Sequence, residues 1–276
     1  MTSKVCSLEE AVASIPDGAA IGIGGGPMSR RPMSLVREVI RQGRKGLTLV
    51  TYTGGIDVDA LLAAGAASIV RAPYVGFEYL GLAPHYQPTG NLTIVVETIA
   101  SLASGLRAGA GGLPFLPARP STASDVLEVR TDVRRVTCPY TGATLVAWPA
   151  ITVDVALLHV ADSDPFGCAT LGDSVSMDEV LADAAERVII SAESIGSKPS
   201  SPRSLEGSSV SHVVHARHGA HPTAFPPLYD ADVPELLGYL DLARKPPSTH
   251  WLADWAGPSE SEYGKRFNTP EGGVGP

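Results

Sequence analysis

The stretch Ala19-Ala20-Ile21-Gly22-Ile23-Gly24-Gly25-Gly26-Pro27-Met28-Ser29-Arg30-Arg31-Pro32 runs from apolar residues into glycines and then into a helical pattern. Residues 19–23 read as a buried strand. The glycines after it allow a tight turn and let backbone N–H groups approach a ligand closely. Beyond Pro32, Leu35, Val36, Val39 and Ile40 form one apolar stripe among Arg37, Glu38 and Arg41, as on an amphipathic helix. Gln42-Gly43 ends it. A strand, a glycine turn and a helix in succession open a βαβ unit. Donors in such a turn suit a phosphate or an oxyanion forming on a carbonyl. A tight strand-to-helix turn without a ligand accounts for the glycines equally. The run is neither a Walker A loop nor a Gly-x-Gly-x-x-Gly fingerprint, because the Lys-Ser/Thr pair and the third glycine spacing are absent. Arg30 and Arg31 open the helix, where the dipole disfavours cations. That favours their facing an anion over a solvated arginine pair.

Working outward, the same alternation recurs. Upstream, Ser7 caps a helix starting Leu8-Glu9-Glu10, with Glu10 placed for a capping box, and Pro16-Asp17-Gly18 breaks the chain. Downstream, a second strand (47–52) ends in Thr53-Gly54-Gly55 before a small helix at 59–64. A third strand (68–70) is shorter, and a fourth (91–96) leads to Glu97 and an alanine-rich helix through Ala110. Residues 111–117 look irregular. Residues 126–130, 145–148 and 155–160 are further strand candidates. A helix at 178–186 feeds a strand at 188–191. Residues 198–211 are rich in Ser and Pro, hence a flexible loop. A short strand (213–215) and a late helix (233–242), with Pro234 in its first turn, complete a single domain over 1–256. The Gly/Pro-rich stretch 257–276 is expected to be a disordered tail. The fold class is α/β: an open, mostly parallel, Rossmann-like sheet flanked by helices. Ligands of such sheets collect at the carboxyl edges of the strands. Three of those edges carry glycine here: Gly24-Gly25-Gly26, Gly54-Gly55, and Gly167 in Asp164-Pro165-Phe166-Gly167.

The 276 residues are 44% hydrophobic and 18% charged, a globular balance. A net charge of −8 argues against sequence-independent nucleic-acid binding, which needs phosphate-neutralising cations. Cys6, Cys138 and Cys168 are dispersed, which implies neither a disulfide framework nor a zinc site and fits a reducing cytoplasm. No apolar run reaches the roughly 18 residues of a membrane span. Neither nucleic acid nor membrane is an expected partner. His212, His215, His218 and His221 recur every three residues, but they straddle a strand and a turn. Without a Cys or carboxylate cluster nearby they imply no metal. Cys168 reads as a structural thiol. Glu97 leaves a buried strand, the place for a general base or nucleophile, but also for a carboxylate stabilised by a helix N-terminus. Arg119 follows a segment stiffened by Pro114 and Pro117; it meets an anion or belongs to a rigid packing loop.

Taken in order, these segments resemble the A subunits of class I CoA-transferases of the glutaconate type. The resemblance is carried by Ile21-Gly22-Ile23-Gly24-Gly25-Gly26 with Arg30-Arg31-Pro32-Met33, Leu47-Thr48-Leu49-Val50 and Leu61-Leu62-Ala63-Ala64-Gly65. Gly112-Leu113-Pro114-Phe115-Leu116-Pro117-Ala118-Arg119 is its most specific piece. Ala161-Asp162 through Gly167, and Gly219-Ala220-His221-Pro222-Thr223 with Tyr229-Asp230-Ala231-Asp232, extend it over most of 7–242. The resemblance implies the fold shared by CoA-transferases and sugar-phosphate isomerases. It also implies coenzyme A as a substrate rather than a bound cofactor, with acyl-CoA and carboxylic acid substrates. The working glutamate then comes from a B-type partner subunit in an α2β2 heteromer, and the glycine run stabilises the oxyanions beside it. One departure is Cys168, where the family's loop commonly has Asn. The chain also resembles the A subunit of a ring-opening CoA hydrolase of bacterial steroid degradation, whose own glutamate works near the segment that Glu97 occupies here. A ligand-sensing domain of the same fold is a third reading. It would normally bring a DNA-binding helix-turn-helix, and the sequence shows none.

Overall fold

The computed structural model describes residues 2–88, 90–120, 125–171, 177–196, 204–245 and 251–265. Its strands are β1 (Ala20–Ile23), β2 (Leu47–Thr51), β3 (Ala67–Ala72), β4 (Thr93–Val96), β5 (Phe115–Ala118), β6 (Arg134–Thr137), β7 (Thr144–Pro149), β8 (Val153–Ser163), β9 (Ala169–Thr170), β10 (Ala185–Ile195), β11 (Ser204–Leu205) and β12 (Val210–His215). The helices are α1 (Leu8–Ala13), α2 (Met33–Arg41), α3 (Ile56–Ala63), α4 (Ile99–Ala110), α5 (Asp125–Val129), α6 (Asp178–Asp183), α7 (Val233–Ala243), α8 (Trp251–Ala256) and α9 (Glu260–Gly264). Seven strands are parallel, in the order β12-β10-β8-β1-β2-β3-β4. β9 and β11 extend the sheet antiparallel beyond the end of β8. This is the open, mostly parallel sheet expected from the sequence.

Period-two alternation splits the central strands between two cores. Ile21, Ile23, Val155, Leu157 and Ile189 pack with α1, α2, α3, α7 and α8. Ala156, Leu158, Val160, Val188 and Ile190 pack with α4 and α6. A sheet covered on both faces needs apolar residues at successive positions, which is why β8 reads as a continuous hydrophobic run. The α1 capping box forms as the sequence predicts: Ser7 Oγ accepts the Glu10 N–H, and Glu10 accepts the Ser7 N–H, both at 3.1 Å.

Three local expectations change. Residues 126–129 lie in α5 rather than a strand, and the Arg130 N–H just beyond it closes on the Val126 carbonyl at 3.0 Å; so short an apolar run fits either state. The irregular-looking segment 111–117 leads into β5, which pairs antiparallel with β7 in a separate sheet ordered β5-β7-β6. Pro117 is tolerated because β5 lies at that sheet's edge. The stretch from Gly257 carries α9 instead of beginning a disordered tail. Ser259 accepts the Glu262 N–H at 3.2 Å, Glu260 pairs with Arg37 and Arg41, and Tyr263 is buried. Residues 266–276, and 197–203 of the expected Ser/Pro-rich loop, lie outside the described residues.

Candidate functional site

Because the seven core strands are parallel, their carboxyl ends share one edge. The glycine run follows β1, Thr53-Gly54-Gly55 follows β2, Glu97 follows β4, and the 164–168 turn follows β8. The loops after β1 and β2 touch. A Cβ on Gly55 would lie 2.4 Å from the Pro27 carbonyl oxygen, so only glycine permits that approach. Gly25 has φ +87°, and a Cβ there would meet the Ser29 and Arg30 carbonyls at 2.6–2.7 Å.

The three glycine N–H groups expected to serve an oxyanion have partners inside the chain. Gly24 donates to the Leu157 carbonyl at 3.0 Å, Gly25 to Asp178 Oδ1 at 2.8 Å, and Gly26 to the Ser29 carbonyl at 2.8 Å. Arg30 and Arg31 do face anions, and those anions are the protein's own carboxylates. Arg30 Nη1 bonds Asp178 Oδ2 at 2.8 Å and the Leu171 carbonyl at 2.9 Å. Arg31 Nη1 lies 3.3 Å from Asp57 Oδ2 and donates to the Gly24 carbonyl and Thr51 Oγ1, both at 3.1 Å. Both guanidiniums are buried. For Arg31, burial lowers the pKa and outweighs the raising effect of Asp57 and Asp178. The pair braces the glycine turn from beneath.

Glu97 is an enclosed carboxylate of this edge, its side chain 1% exposed. Arg71 Nε reaches Oε1 at 2.6 Å and Arg130 Nη1 reaches it at 2.7 Å; Ser101 Oγ donates to Oε2. Arg130 in turn holds Asp132 through two 2.7 Å bonds. That hydrogen bond is the main cause that keeps the Asp132 carboxyl below the usual carboxylate range. Two guanidiniums therefore compensate one buried negative charge. The sequence singles out Glu97 but not its partners. Arg71 carries a signal, since a cation near the end of strand β3 lies in register beside β4, with Arg71 opposite Val95. Arg130 carries none, because the run that forms α5 has the pattern of a strand.

The remaining positions are separate. Gly54 donates to the Tyr74 carbonyl at 2.8 Å. Gly167 has φ +93° in a turn where Asp164 Oδ1 accepts the Phe166 and Cys168 N–H groups, both at 2.9 Å. Cys168 lines a ~760 Å³ cleft with Lys4, Cys6, Phe166 and His212. Arg119 is exposed just past β5, on the small antiparallel sheet. The four histidines do not converge: His212 contacts Ser211, His215 is exposed at the end of β12, His218 donates its N–H to Glu193, and His221 bridges Tyr263 and Asp232.

The chain matches the family described as Coenzyme A transferase over residues 5–216. It is 35% identical, over 94% of its length and 94% of the relative's, to the cholesterol ring-cleaving hydrolase IpdA subunit of Rhodococcus jostii. Glutaconate coenzyme A-transferase from Acidaminococcus fermentans superposes with TM-score 0.90 at 27% identity, covering 97% of this chain and 93% of that one. A single-residue variant of the decarboxylase AibA/AibB superposes with TM-score 0.82 at 32% identity, covering 96% and 98%. Against an uncharacterized protein of Archaeoglobus fulgidus, 34% identical over 88% of this chain, the chain spans 57% of the relative's length.

Proposed function

The chain belongs to the coenzyme A transferase family, and we propose that it is the A-type subunit of a two-subunit enzyme. That enzyme would move coenzyme A between an acyl-CoA and a carboxylic acid. The observation that carries this reading is the glycine turn at the carboxyl edge of β1, braced by buried Arg30 and Arg31 in a fold that superposes on glutaconate coenzyme A-transferase over nearly its whole length. In the proposed reaction a glutamate of the B-type partner attacks the thioester carbonyl and expels CoA thiolate, leaving a mixed anhydride. The thiolate attacks the glutamyl carbonyl, releases the first acid and leaves a glutamyl-CoA thioester. A second carboxylate reverses both steps and departs as its CoA ester. Each attack places negative charge on a carbonyl oxygen, where fixed donors act most strongly. The Gly24, Gly25 and Gly26 N–H groups are engaged within this chain, so its own share is to shape and stiffen the edge against which the partner's glutamate works. An α2β2 assembly in the cytoplasm completes the reading. Among the described residues, no helix is long and apolar enough to cross a membrane.

A second reading rests on Glu97. A buried carboxylate held by Arg71, Arg130 and Ser101 at the end of β4 fits a hydrolase that uses a glutamate of this chain. The 35% identity to a ring-cleaving hydrolase subunit supports it. Co-expression with a B-type subunit separates the two readings. The products are incubated with a panel of acyl-CoAs, with and without acetate or succinate, and then trapped with borohydride. The transferase reading expects acceptor-dependent exchange and a trapped glutamate on the partner. CoA release without an acceptor, abolished by Glu97→Gln, would replace it with the hydrolase.

A further inference from the structure

A second carboxylate sits at the carboxyl end of β10, outside the site described above. Glu193 receives three hydrogen bonds. His159 Nε2 at 2.8 Å and the Tyr229 hydroxyl at 2.5 Å both reach Oε1, and the His218 N–H reaches Oε2 at 2.8 Å. His159 lies opposite Ser191 in the parallel β8–β10 register, and its Nδ1 is 2.9 Å from Ser191 Oγ. With the Ser191 hydroxyl donating to Nδ1, Nε2 carries the proton given to Glu193. The row Ser191, His159, Glu193 looks like a catalytic triad, but Ser191 and His159 are fully buried, so no substrate reaches the hydroxyl. Its output is instead the loop 216–229. The Tyr229 hydroxyl accepts the Ala220 N–H at 3.2 Å, and His218 adopts φ +56° while its N–H points at Glu193. Gly219 lies so close to His159 that a Cβ there would meet its Cε1 at 2.7 Å.

That loop is the support of the glycine turn. The Ala224 carbonyl takes the Arg30 N–H at 2.6 Å and the Ala224 N–H reaches the Met28 carbonyl at 2.9 Å. Thr223 Oγ1 accepts the Arg31 N–H at 3.3 Å, and the Gly219 carbonyl accepts the Ser34 N–H at 2.9 Å. Arg30 itself is held at φ +56°, a left-handed conformation that a non-glycine residue keeps only when its surroundings fix it.

We propose that Glu193 is a positioning residue for the reaction at the carboxyl edge: through His218 and Tyr229 it locks loop 216–229, and that loop fixes residues 28–31 and with them the glycine turn. Burial raises the Glu193 pKa, but the His159, Tyr229 and His218 hydrogen bonds prevail and hold the carboxyl below its usual range. A carboxylate suits the role because all three donors meet acceptor oxygen. A glutamine has one oxygen, so in either amide orientation at least one donor faces an NH2 group.

The inference about turnover rests on the transferase reading; the structural link does not. Amide hydrogen exchange of the intact chain with its B-type partner tests the link. Glu193→Gln is expected to speed exchange of peptides spanning 24–31 at least tenfold while β2 and β3 stay unchanged. Tyr229→Phe, which removes one donor and keeps the charge, shifts it the same way by a smaller factor. Val12→Ala, a core truncation in α1, serves as the control for lost stability alone and leaves the 24–31 rate unchanged. In turnover, normalised to folded heteromer, Glu193→Gln lowers kcat at least tenfold with KM within about twofold, because a loosened edge misplaces the partner's glutamate in the transition state more than it weakens substrate binding. An unchanged 24–31 exchange rate in Glu193→Gln overturns the proposal whatever the activity. Faster exchange with unchanged kcat overturns the positioning role. Faster exchange in a heteromer whose wild type processes no CoA thioester supports the link and overturns the transferase reading instead.

Discussion

Glu97 is where a single atom changes most. Its Oε1 sits between the guanidiniums of Arg71 and Arg130. Glu97→Gln keeps the shape and removes the charge, leaving two cations with Asp132 as their remaining carboxylate partner. Breaking a buried ion pair from one side leaves the other side's desolvation uncompensated, and about 3 kcal/mol of unfolding free energy should be lost in urea titrations. A loss below about 0.5 kcal/mol would show that Glu97 contributes little beyond its volume. Activity reads the same residue differently. Under the transferase reading, Glu97→Gln keeps acceptor-dependent exchange once the lost stability is allowed for; under the hydrolase reading it abolishes CoA release. Residues at this scale are only half visible in the sequence. Arg30, Arg31 and Glu97 stand beside strand ends and turn signals, so their neighbourhoods can be read locally. Asp178, which pairs with Arg30 from 148 positions away, cannot be, because nothing local in its helix marks a partner.

Two elements carry sharp tests. Helix α4 approaches the segment after β7 through glycines: a Cβ on Gly105 would meet Ile151 Cδ1 at 2.5 Å, and one on Gly109 would meet the Ile151 carbonyl oxygen at 2.1 Å. The Ile151 N–H donates to the Gly105 carbonyl at 2.9 Å. Gly109→Ala improves helix propensity by about 1 kcal/mol, but its methyl has to displace backbone. The net expected change is a loss of about 1–3 kcal/mol, measured by denaturant unfolding; a gain would show that α4 can slide outward freely. Helix α9 is tied to α2 by Glu260 with Arg37 and Arg41 and by the Arg37 guanidinium 3.6 Å over the Tyr263 ring, and to the 216–229 loop by the Tyr263 hydroxyl 3.0 Å from His221 Nδ1. Burial raises the Glu260 pKa, but Arg37 and then Arg41 outweigh it and hold the carboxyl below its ordinary 4.5. The unfolded chain therefore binds that proton more readily, and the contribution is complete above pH 4.5 and fades as pH falls through the lowered folded value. His221 is held below its ordinary 6.5, burial first and the nearby Arg37 after it outweighing Asp232, so its contribution fades in the same direction from higher pH. Melting temperature should thus begin to fall below about pH 6.5 and fall faster below 4.5. Glu260→Gln should cost about 2 kcal/mol at pH 7 and flatten the lower limb. An unaltered lower limb would detach Glu260 from acid stability. The βαβ units are legible because their periodicity is local, whereas α9 is not: its polar sequence gains structure only from contacts with α2 and His221.

Across the whole molecule, stability should be unevenly spread. β8 pairs with β1 on one side and along its length with β10 on the other, and both of its faces are buried in separate cores. The order of those strands comes from connections that no local pattern records, yet their two-sided apolar runs announce a parallel sheet. The three-stranded sheet β5-β7-β6 has no such support. β5 and β6 are partly or fully exposed along their lengths, and in β7 only Val146 and Ala147 are buried. Its antiparallel pairing is also the least legible part of the chain, because Pro-rich and charged residues mask a strand that makes few apolar contacts. Local opening free energy follows buried apolar contact, so amides of β5 and β6 should exchange through an opening at least about 3 kcal/mol easier than global unfolding, roughly 100-fold faster than those of β8 and β10. Native-state exchange in low denaturant measures this directly. If β5 and β6 instead exchange at the rate of β8, the small sheet unfolds only with the main one, and Pro114-to-Arg119 then belongs to the rigid frame of the carboxyl edge rather than to a separately opening flap.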